Sequence, residues 1–397
     1  MTNKSLKQLS DNHILPTYGR FPIAFVKGSG SRLWDADGKE YIDFTSGIGV
    51  TSIGHSHPDW AQAITDQAQM LAHVSNLYYT APAAKLAQRL VELSGMAAVF
   101  FANSGAEANE GIIKTARKYS SDKYGKNRFA IITLEGSFHG RTITTLAATG
   151  QGKFHQNFYP LTQGFRYVSP GDIAALEAEG DDVCALLLEP IQGEGGVVPL
   201  DIEYVQAAAE LCRKRDWLFL IDEVQTGIGR TGKWFGFQHF SIQPDIVSFA
   251  KGIASGLPLG GFIVAEKLRN TLSPGDHATT YGGNPVCCAA ANTVLDVLEP
   301  VLSHIEEKGK YIREEIQAMN LPVVGEIRGH GLMIGLKVNN HPPAAINAKL
   351  LESGLAALTA GTDILRLLPP LTIEKNDIDA GLKILHNVLS AFAKEGT

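Results

Sequence analysis

The 397-residue chain lacks any cluster of Lys or Arg, any apolar run that approaches membrane-spanning length, and any internal repeat or low-complexity segment. With a net charge of −6 and a pI near 6.1, the first absence leaves nothing to attract nucleic acid or an anionic membrane surface. The second excludes a helical membrane span, and the opening Met1-Thr-Asn-Lys-Ser-Leu-Lys-Gln-Leu-Ser10 lacks the apolar core of a signal peptide, so a cytoplasmic protein is expected. Cysteine is scarce. Cys184, Cys212, Cys287 and Cys288 fit no metal-ligand spacing, and the adjacent pair cannot readily form an unstrained bridge. All four are expected to be reduced structural thiols, with no metal site. Charged residues make up only 19% and hydrophobic ones 44%, the balance of a soluble globular enzyme with small-molecule partners.

What the chain does have is alternation. Apolar runs at 97–102, 129–134, 183–188, 217–222, 246–250 and 262–265 are separated by helix-length segments, including Ala106 to Tyr119 and Glu203 to Arg215. Strands alternating with helices imply crossover connections and a mostly parallel sheet covered on both faces, an α/β fold. Before this region, Arg32-Leu-Trp-Asp-Ala-Asp-Gly38 and Tyr41-Ile-Asp-Phe44 suggest a hairpin, and helical spacing follows from Pro58 and from Ala83 to Leu93. A helix from Pro285 to Leu298 leads out. After Pro300 comes a smaller unit, with strands near 332–338 and 364–368 and a last helix from Asp377 to Phe392 whose Ile378, Leu382, Leu385, Leu389 and Phe392 share a face. The length suits two or three domains, divided as 1–55, 56–299 and 300–397.

Two of the apolar runs carry chemistry at their ends. Trp217-Leu-Phe-Leu-Ile-Asp222 ends in a carboxylate, and Pro244-Asp-Ile-Val-Ser-Phe-Ala-Lys251 ends in an amine. Neighbouring buried strands that finish this way hold an anion and an amine on one rim, where open α/β sheets bind ligands. An aldehyde cofactor with a basic ring nitrogen needs that arrangement. The amine forms a Schiff base with the aldehyde, and the carboxylate keeps the ring nitrogen protonated, which points to pyridoxal 5′-phosphate.

Other motifs fall on the same rim. Asn103-Ser104-Gly105-Ala106-Glu107 follows a strand and opens a helix, so free backbone N–H groups and the helix dipole could face a phosphate; a plain N-cap looks the same. Phe138-His139-Gly140-Arg141 offers a ring to stack, a fork for a carboxylate and a histidine that is either a ring neighbour or a satisfied loop residue. Glu194, in Glu189-Pro-Ile-Gln-Gly-Glu194-Gly-Gly, lies on a glycine-rich loop and could recognise or gate. Thr279-Thr280-Tyr281-Gly-Gly-Asn284 supplies hydroxyls in a sharp turn. Two patterns suggest nucleotides instead: Gly227-Ile-Gly229-Arg-Thr-Gly232 matches G-x-G-x-x-G, and Gly227 to Lys233 matches the start of a P-loop. Trp234 stands where a P-loop needs Ser or Thr, the acidic strand precedes the loop, and the glycines come five residues beyond Asp222, so both fail on context.

Taken in order, Ser104-Gly-Ala-Glu-Ala108, Phe138-His-Gly-Arg141, Ile221-Asp-Glu-Val-Gln225-Thr-Gly, Ala250-Lys251-Gly and Thr280-Tyr-Gly-Gly-Asn-Pro285 resemble the class III, ornithine-type, aminotransferases from about Tyr18 to Leu371. The resemblance implies fold type I, with a mostly parallel seven-stranded sheet in a large domain, a smaller α+β domain against which the N-terminal segment packs, and a homodimer with active sites at its interface. It implies that Lys251 carries the cofactor and Asp222 faces its ring nitrogen. Ser104, Gly105 and Ala106 then lie at the phosphate, Phe138 on the ring, Glu223, Val224 and Gln225 along it with Gln225 at the phenolic oxygen, and Thr280 reaches the neighbouring subunit's phosphate. For substrate it implies Tyr18, Arg141, Thr279 and Arg366, with Arg366 taking the α-carboxylate of glutamate or 2-oxoglutarate and Glu194 pairing with Arg366 while the other substrate is bound.

Within that family, Ile48 stands where ornithine aminotransferases have a tyrosine that helps hold a free α-amino acid end. This departure disfavours free ornithine and favours N2-acetylornithine as the donor of its δ-amino group to 2-oxoglutarate, a step of arginine biosynthesis. Alternatives on the same motifs are 4-aminobutyrate, N-succinylornithine or ornithine as donor, and more remotely an isomerase or decarboxylase, or a nucleotide-binding protein.

Overall fold

The structure, a computed structural model, describes residues 1–395; residues 396 and 397, the end of the expected 300–397 unit, lie outside it. The apolar runs become a seven-stranded sheet in the order Ala98–Ala102, Gly260–Val264, Ile246–Phe249, Leu218–Asp222, Val183–Leu188, Ala130–Leu134, Phe165–Val168. All neighbours are parallel except Gly260–Val264, which runs antiparallel to both of its own. The strands read as unbroken apolar runs because both faces are covered. Leu186, Leu188, Phe219, Ile221, Val247 and Phe249 face one core with the helices Ile202–Arg215 and Pro285–Leu298, while Ala185, Leu187, Leu218, Leu220 and Ile246 face another with the helix Gly105–Tyr124.

The strand Phe165–Val168 has no counterpart among the expected runs. It is an edge strand, paired on one side only, and only Val168 is buried. Its Arg166 turns outward to Glu179 and Asp182, so no apolar run marks it.

A second sheet joins the two ends of the chain. Phe25–Ser29, Arg32–Asp35 and Glu40–Asp43 form an antiparallel meander, and Leu355–Ala356 adds to Glu40–Asp43 in parallel. A third sheet is wholly antiparallel, in the order Val324–His330, Met333–Val338, Ile364–Leu367, Leu358–Ala360.

One expectation needs correction. The helical stretch Pro285–Ala318 is long and apolar enough to cross a membrane by length and composition, with mean hydropathy 1.4 over its most apolar window. Interruptions by Asn292 and Asp296 hid this in the sequence. Its Cys288, Ala291, Val294, Leu295 and Leu298 are buried in the main core, which accounts for that apolar face.

The Gly227–Gly232 loop also acquires a packing role. Ile228, Gly229 and Gly232 all have left-handed φ, and a side chain on Gly229 would press on Leu371, Leu302 and Ile305. Arg230 is buried beneath, donating to the carbonyls of Leu332 and Pro369. The glycines let this loop meet the C-terminal part of the chain closely.

Gly111 has a comparable duty in the helix Gly105–Tyr124. A Cβ there would lie 2.2 Å from the Phe262 ring, which stacks on Phe100. Gly111→Ala should therefore destabilise the protein by about 1–3 kcal/mol of overpacking, exceeding the roughly 1 kcal/mol that alanine gains in helix propensity. A lowered midpoint in chemical denaturation is the expected result.

Candidate active site

The strand order places Asp222 and Lys251 together. Leu218–Asp222 and Ile246–Phe249 are parallel neighbours with Asp222 opposite Ser248, so the chain reaches Lys251 three residues beyond that register point. Both line a cavity of about 450 Å³ at the strand ends. Lys251 has φ 43°, a left-handed value that costs a non-glycine residue about 1–3 kcal/mol and opens the short turn Lys251–Ala254. Burial, reinforced by the Arg366 guanidinium, brings the Lys251 ammonium down to about 8, against the pull of Glu194, Asp222 and Glu189.

A buried carboxylate needs partners, and Asp222 has several. Its Oδ2 accepts from Asn109 Nδ2 at 2.7 Å and lies 2.8 Å from His139 Nδ1, while Oδ1 accepts from the Val224 N–H at 3.0 Å. Asn109 also donates to the His139 carbonyl, at 2.8 Å, tying helix, loop and strand end together. His139 is thus a neighbour of the carboxylate, and its Nε2 is buried without a partner. Neither Asn109 nor its tie to Asp222 was expected. The one available signal was its spacing, four residues beyond Gly105 on the face that meets the sheet.

Across the cavity, Ser104 caps the helix by accepting the Glu107 N–H, which leaves the first-turn N–H groups of Gly105 and Ala106 without intrahelical acceptors. A Cβ on Gly105 would sit 2.7 Å from Val224 Cγ1, so only glycine keeps this cradle open. Phe138 lines the wall, its N–H donating to Glu189 Oε2 at 3.1 Å. Glu189 was also missed, although it directly follows the strand Val183–Leu188, much as Asp222 ends its own. Burial and the charge of Asp222 raise its carboxyl well above the usual range.

The polar end of the site is unequal. Arg141 is exposed and stacks over Phe154 at 4.1 Å and Phe138 at 5.3 Å, with no ion pair among the described residues. Arg366 is buried, and its Nη1 donates to Glu194 Oε1 at 2.7 Å and to Gln225 Oε1 at 3.1 Å. Burial opposes it, but Arg366 holds the Glu194 carboxyl below its usual range.

Four expected residues fall elsewhere. Glu223 turns away from the cavity and binds Thr226 Oγ1 and the N–H groups of Gly236 and Phe237, its carboxyl pushed up to about 7 by burial. It anchors a turn, because successive residues leaving a strand point to opposite sides. Tyr18 is exposed beside Arg20 and lines a separate cavity under the helix Asn3–His13. Thr280 is exposed. Thr279 lies just outside the cavity, accepting from Asn103 Nδ2 at 3.3 Å. Ile48 has φ 69° in a left-handed run with Gly47 and Gly49, and Val50, which follows that run, lines the cavity.

A cradle of backbone N–H groups, a networked carboxylate and a depressed lysine meet around one cavity, and together they fit pyridoxal 5′-phosphate. Gly105 and Ala106 would hold its phosphate, Asp222 its ring nitrogen, Phe138 and Val224 its ring. The fold and site define a fold type I pyridoxal phosphate enzyme. The profile of the family described as Aminotransferase class-III matches residues 15–389, and the chain belongs to that family. It is 52% identical over 394 residues to the acetylornithine aminotransferase of Haemophilus ducreyi, covering 98% of this chain and 100% of the other, and 50% identical over 383 residues to that of Caldanaerobacter subterraneus, covering 95% and 97%. Among solved structures it resembles the ornithine aminotransferase of Toxoplasma gondii (TM-score 0.95, 31% identity, 100% and 96% covered) and the acetylornithine aminotransferase of Elizabethkingia anophelis (TM-score 0.88, 32%, 99% and 100%).

The lysine carries a direct test. Capture of free aldehyde cofactor by the apo-enzyme should rise about tenfold per pH unit and level off near pH 8, since only the neutral amine attacks; an ordinary lysine would keep rising to about 10.4. Lys251→Ala should abolish turnover.

Proposed function

We propose that the enzyme transfers the δ-amino group of N2-acetyl-L-ornithine to 2-oxoglutarate, giving N-acetyl-L-glutamate 5-semialdehyde and L-glutamate, a step of arginine biosynthesis. The observation that carries this reading is the unequal state of the two site arginines. Arg141 has no ion pair among the described residues and offers a two-point fork to a substrate carboxylate. Arg366 is already paired with Glu194. A donor whose reacting carbon bears no carboxylate brings nothing for Arg366, and Glu194 keeps that buried charge compensated. A dicarboxylate brings its own anion and takes the place of Glu194. Ile48 offers no hydroxyl to hold a free α-ammonium, which favours an acylated amine over free ornithine, and the names of the relatives point the same way.

The roles of the residues follow. When bound, pyridoxal phosphate supplies a ring that draws electrons from the carbon exchanging its nitrogen. Asp222, fixed by Asn109, His139 and Val224, keeps a proton on a ring nitrogen placed against it. Lys251, neutral in a large fraction near pH 8, serves first as nucleophile and then as the base that moves a proton from the amine-bearing carbon. Arg141 orients the donor through its carboxylate.

The same proposal makes the working enzyme a cytoplasmic homodimer. Thr280, exposed on one chain, would reach the partner's phosphate site; Tyr281 beside it is exposed, and Asn76, donating to the carbonyls of Thr279 and Gly282, brings the exposed Leu77, Tyr78 and Tyr79 to the same turn. The four cysteines are free thiols, as suits a reducing compartment.

A donor panel with 2-oxoglutarate as acceptor tests the reading. Catalytic efficiency should be highest with N-acetylornithine, below it with N-succinylornithine, and lowest with ornithine and 4-aminobutyrate. Preference for 4-aminobutyrate would overturn the donor and leave the chemistry intact. Because both substrates use one cavity in turn, double-reciprocal plots should give parallel lines.

A further inference from the structure

We propose that Arg328 is a positioning residue for the Glu194 gate, holding the backbone beneath that side chain fixed while the gate works; this rests on the two-substrate reading above. Glu194 sits in the five-residue tip between the short paired strands Ile191–Gln192 and Val198–Pro199. A glycine-rich tip of this kind, Gly193-Glu194-Gly195-Gly196-Val197, suggests a loop that swings as a whole. The contacts say otherwise. The Glu194 carbonyl accepts the Gly361 N–H at 3.0 Å, and the Gly196 carbonyl accepts both Nε and Nη2 of Arg328, at 3.0 and 2.7 Å. The remaining contact of Arg328 is Nη1 to Glu326 at 3.4 Å. The backbone is therefore held on both sides of the Glu194 side chain.

Val197 completes the clamp. It is a β-branched residue at φ 54°, fully buried among Met333, Ala360, Ile364 and Leu368, so its strained backbone persists only because the surrounding sheet holds it. That sheet makes room for it with glycine: a Cβ on Gly335 would lie 2.8 Å from Val197 Cβ, and one on Gly329 would lie 3.3 Å from its Cγ1. Arg366 belongs to the same sheet, in register opposite Gly335, and Arg328 comes from the same sheet as well. The acid and the arginine it covers are thus referred to one rigid piece. The Glu194 side chain remains partly exposed, so it can leave without disturbing the backbone.

This assigns Arg328 a selective effect. Without it the tip relaxes and Glu194 no longer lies over Arg366. The donor half-reaction then meets an uncompensated buried cation, while the glutamate half-reaction supplies its own carboxylate to Arg366 and does not need Glu194.

Two measurements on the holoenzyme test this. In the wild type, amide hydrogen exchange across 193–197 should be unchanged by saturating glutarate, an unreactive dicarboxylate; an increase of several-fold would show a swinging loop and overturn the proposal. Single-turnover absorbance should separate the half-reactions. Arg328→Ala should slow the N-acetylornithine half-reaction about tenfold, within the range that a misplaced side chain costs, and leave the L-glutamate half-reaction within about twofold. Arg328→Lys, which can still donate to Gly196, should recover most of the loss. Equal loss in both half-reactions, or no recovery with lysine, would overturn the assignment. Val197→Gly provides an independent route to the same loosened tip and should reproduce the same imbalance; an unchanged ratio would count against the clamp. A wild type inert toward L-glutamate would instead defeat the functional reading itself.

Discussion

The site depends on keeping the charge of Asp222 inside the protein. A carboxylate removed from water is costly unless its oxygens are met by donors, and here those donors come from a helix, a loop and the turn that follows its own strand. Asn109, His139 and Val224 each reach it, so its position is determined by three separate pieces of chain. Once it is fixed, the neighbouring strand delivers Lys251 to the same rim. The depressed lysine, the raised Glu189 and the lowered Glu194 all follow from crowding several ionisable groups into one dry space.

Charge pairing also explains the far end of the site. Arg366 is at least as buried as Asp222, and its Nε has no partner, so its compensation rests largely on Glu194 and Gln225. One permanently satisfied pair would bind a single substrate. A pair in which one member is partly exposed can exchange its anion for that of a substrate.

Much of this was legible in the chain because burial on both faces writes itself as unbroken apolar runs, and a charge at the end of such a run is conspicuous. Asp222 and Lys251 are visible for that reason. The edge strand Phe165–Val168 is not, since a half-exposed strand with a paired Arg166 looks like a loop. Glu189 obeys the strand-end rule but was overshadowed by Glu194. Asn109 is hidden differently: nothing local distinguishes a helical asparagine that meets a carboxylate 113 positions away. Side-chain direction limits the reading too, as Glu223 shows by turning away from the cavity beside Asp222 and into the packed interior. Tyr18 and Thr280 lie away from the cavity, and nothing local in the sequence fixes how far from it either residue falls.

The antiparallel strand Gly260–Val264 has a mechanical consequence. A parallel strand in its place would need a crossover of a dozen or more residues to return the chain to the rim. Here the chain leaves Lys251, runs through Gly256, Leu257, Pro258 and Leu259 along the cavity wall, and enters Gly260 directly beneath the Ser104 turn, where a Cβ would strike the Ser104 carbonyl at 2.7 Å. The reactive amine and the anion cradle are therefore joined by one short span of chain and one close packing contact, so a change at either Gly260 or the 252–259 segment would be felt at both ends of the cavity at once.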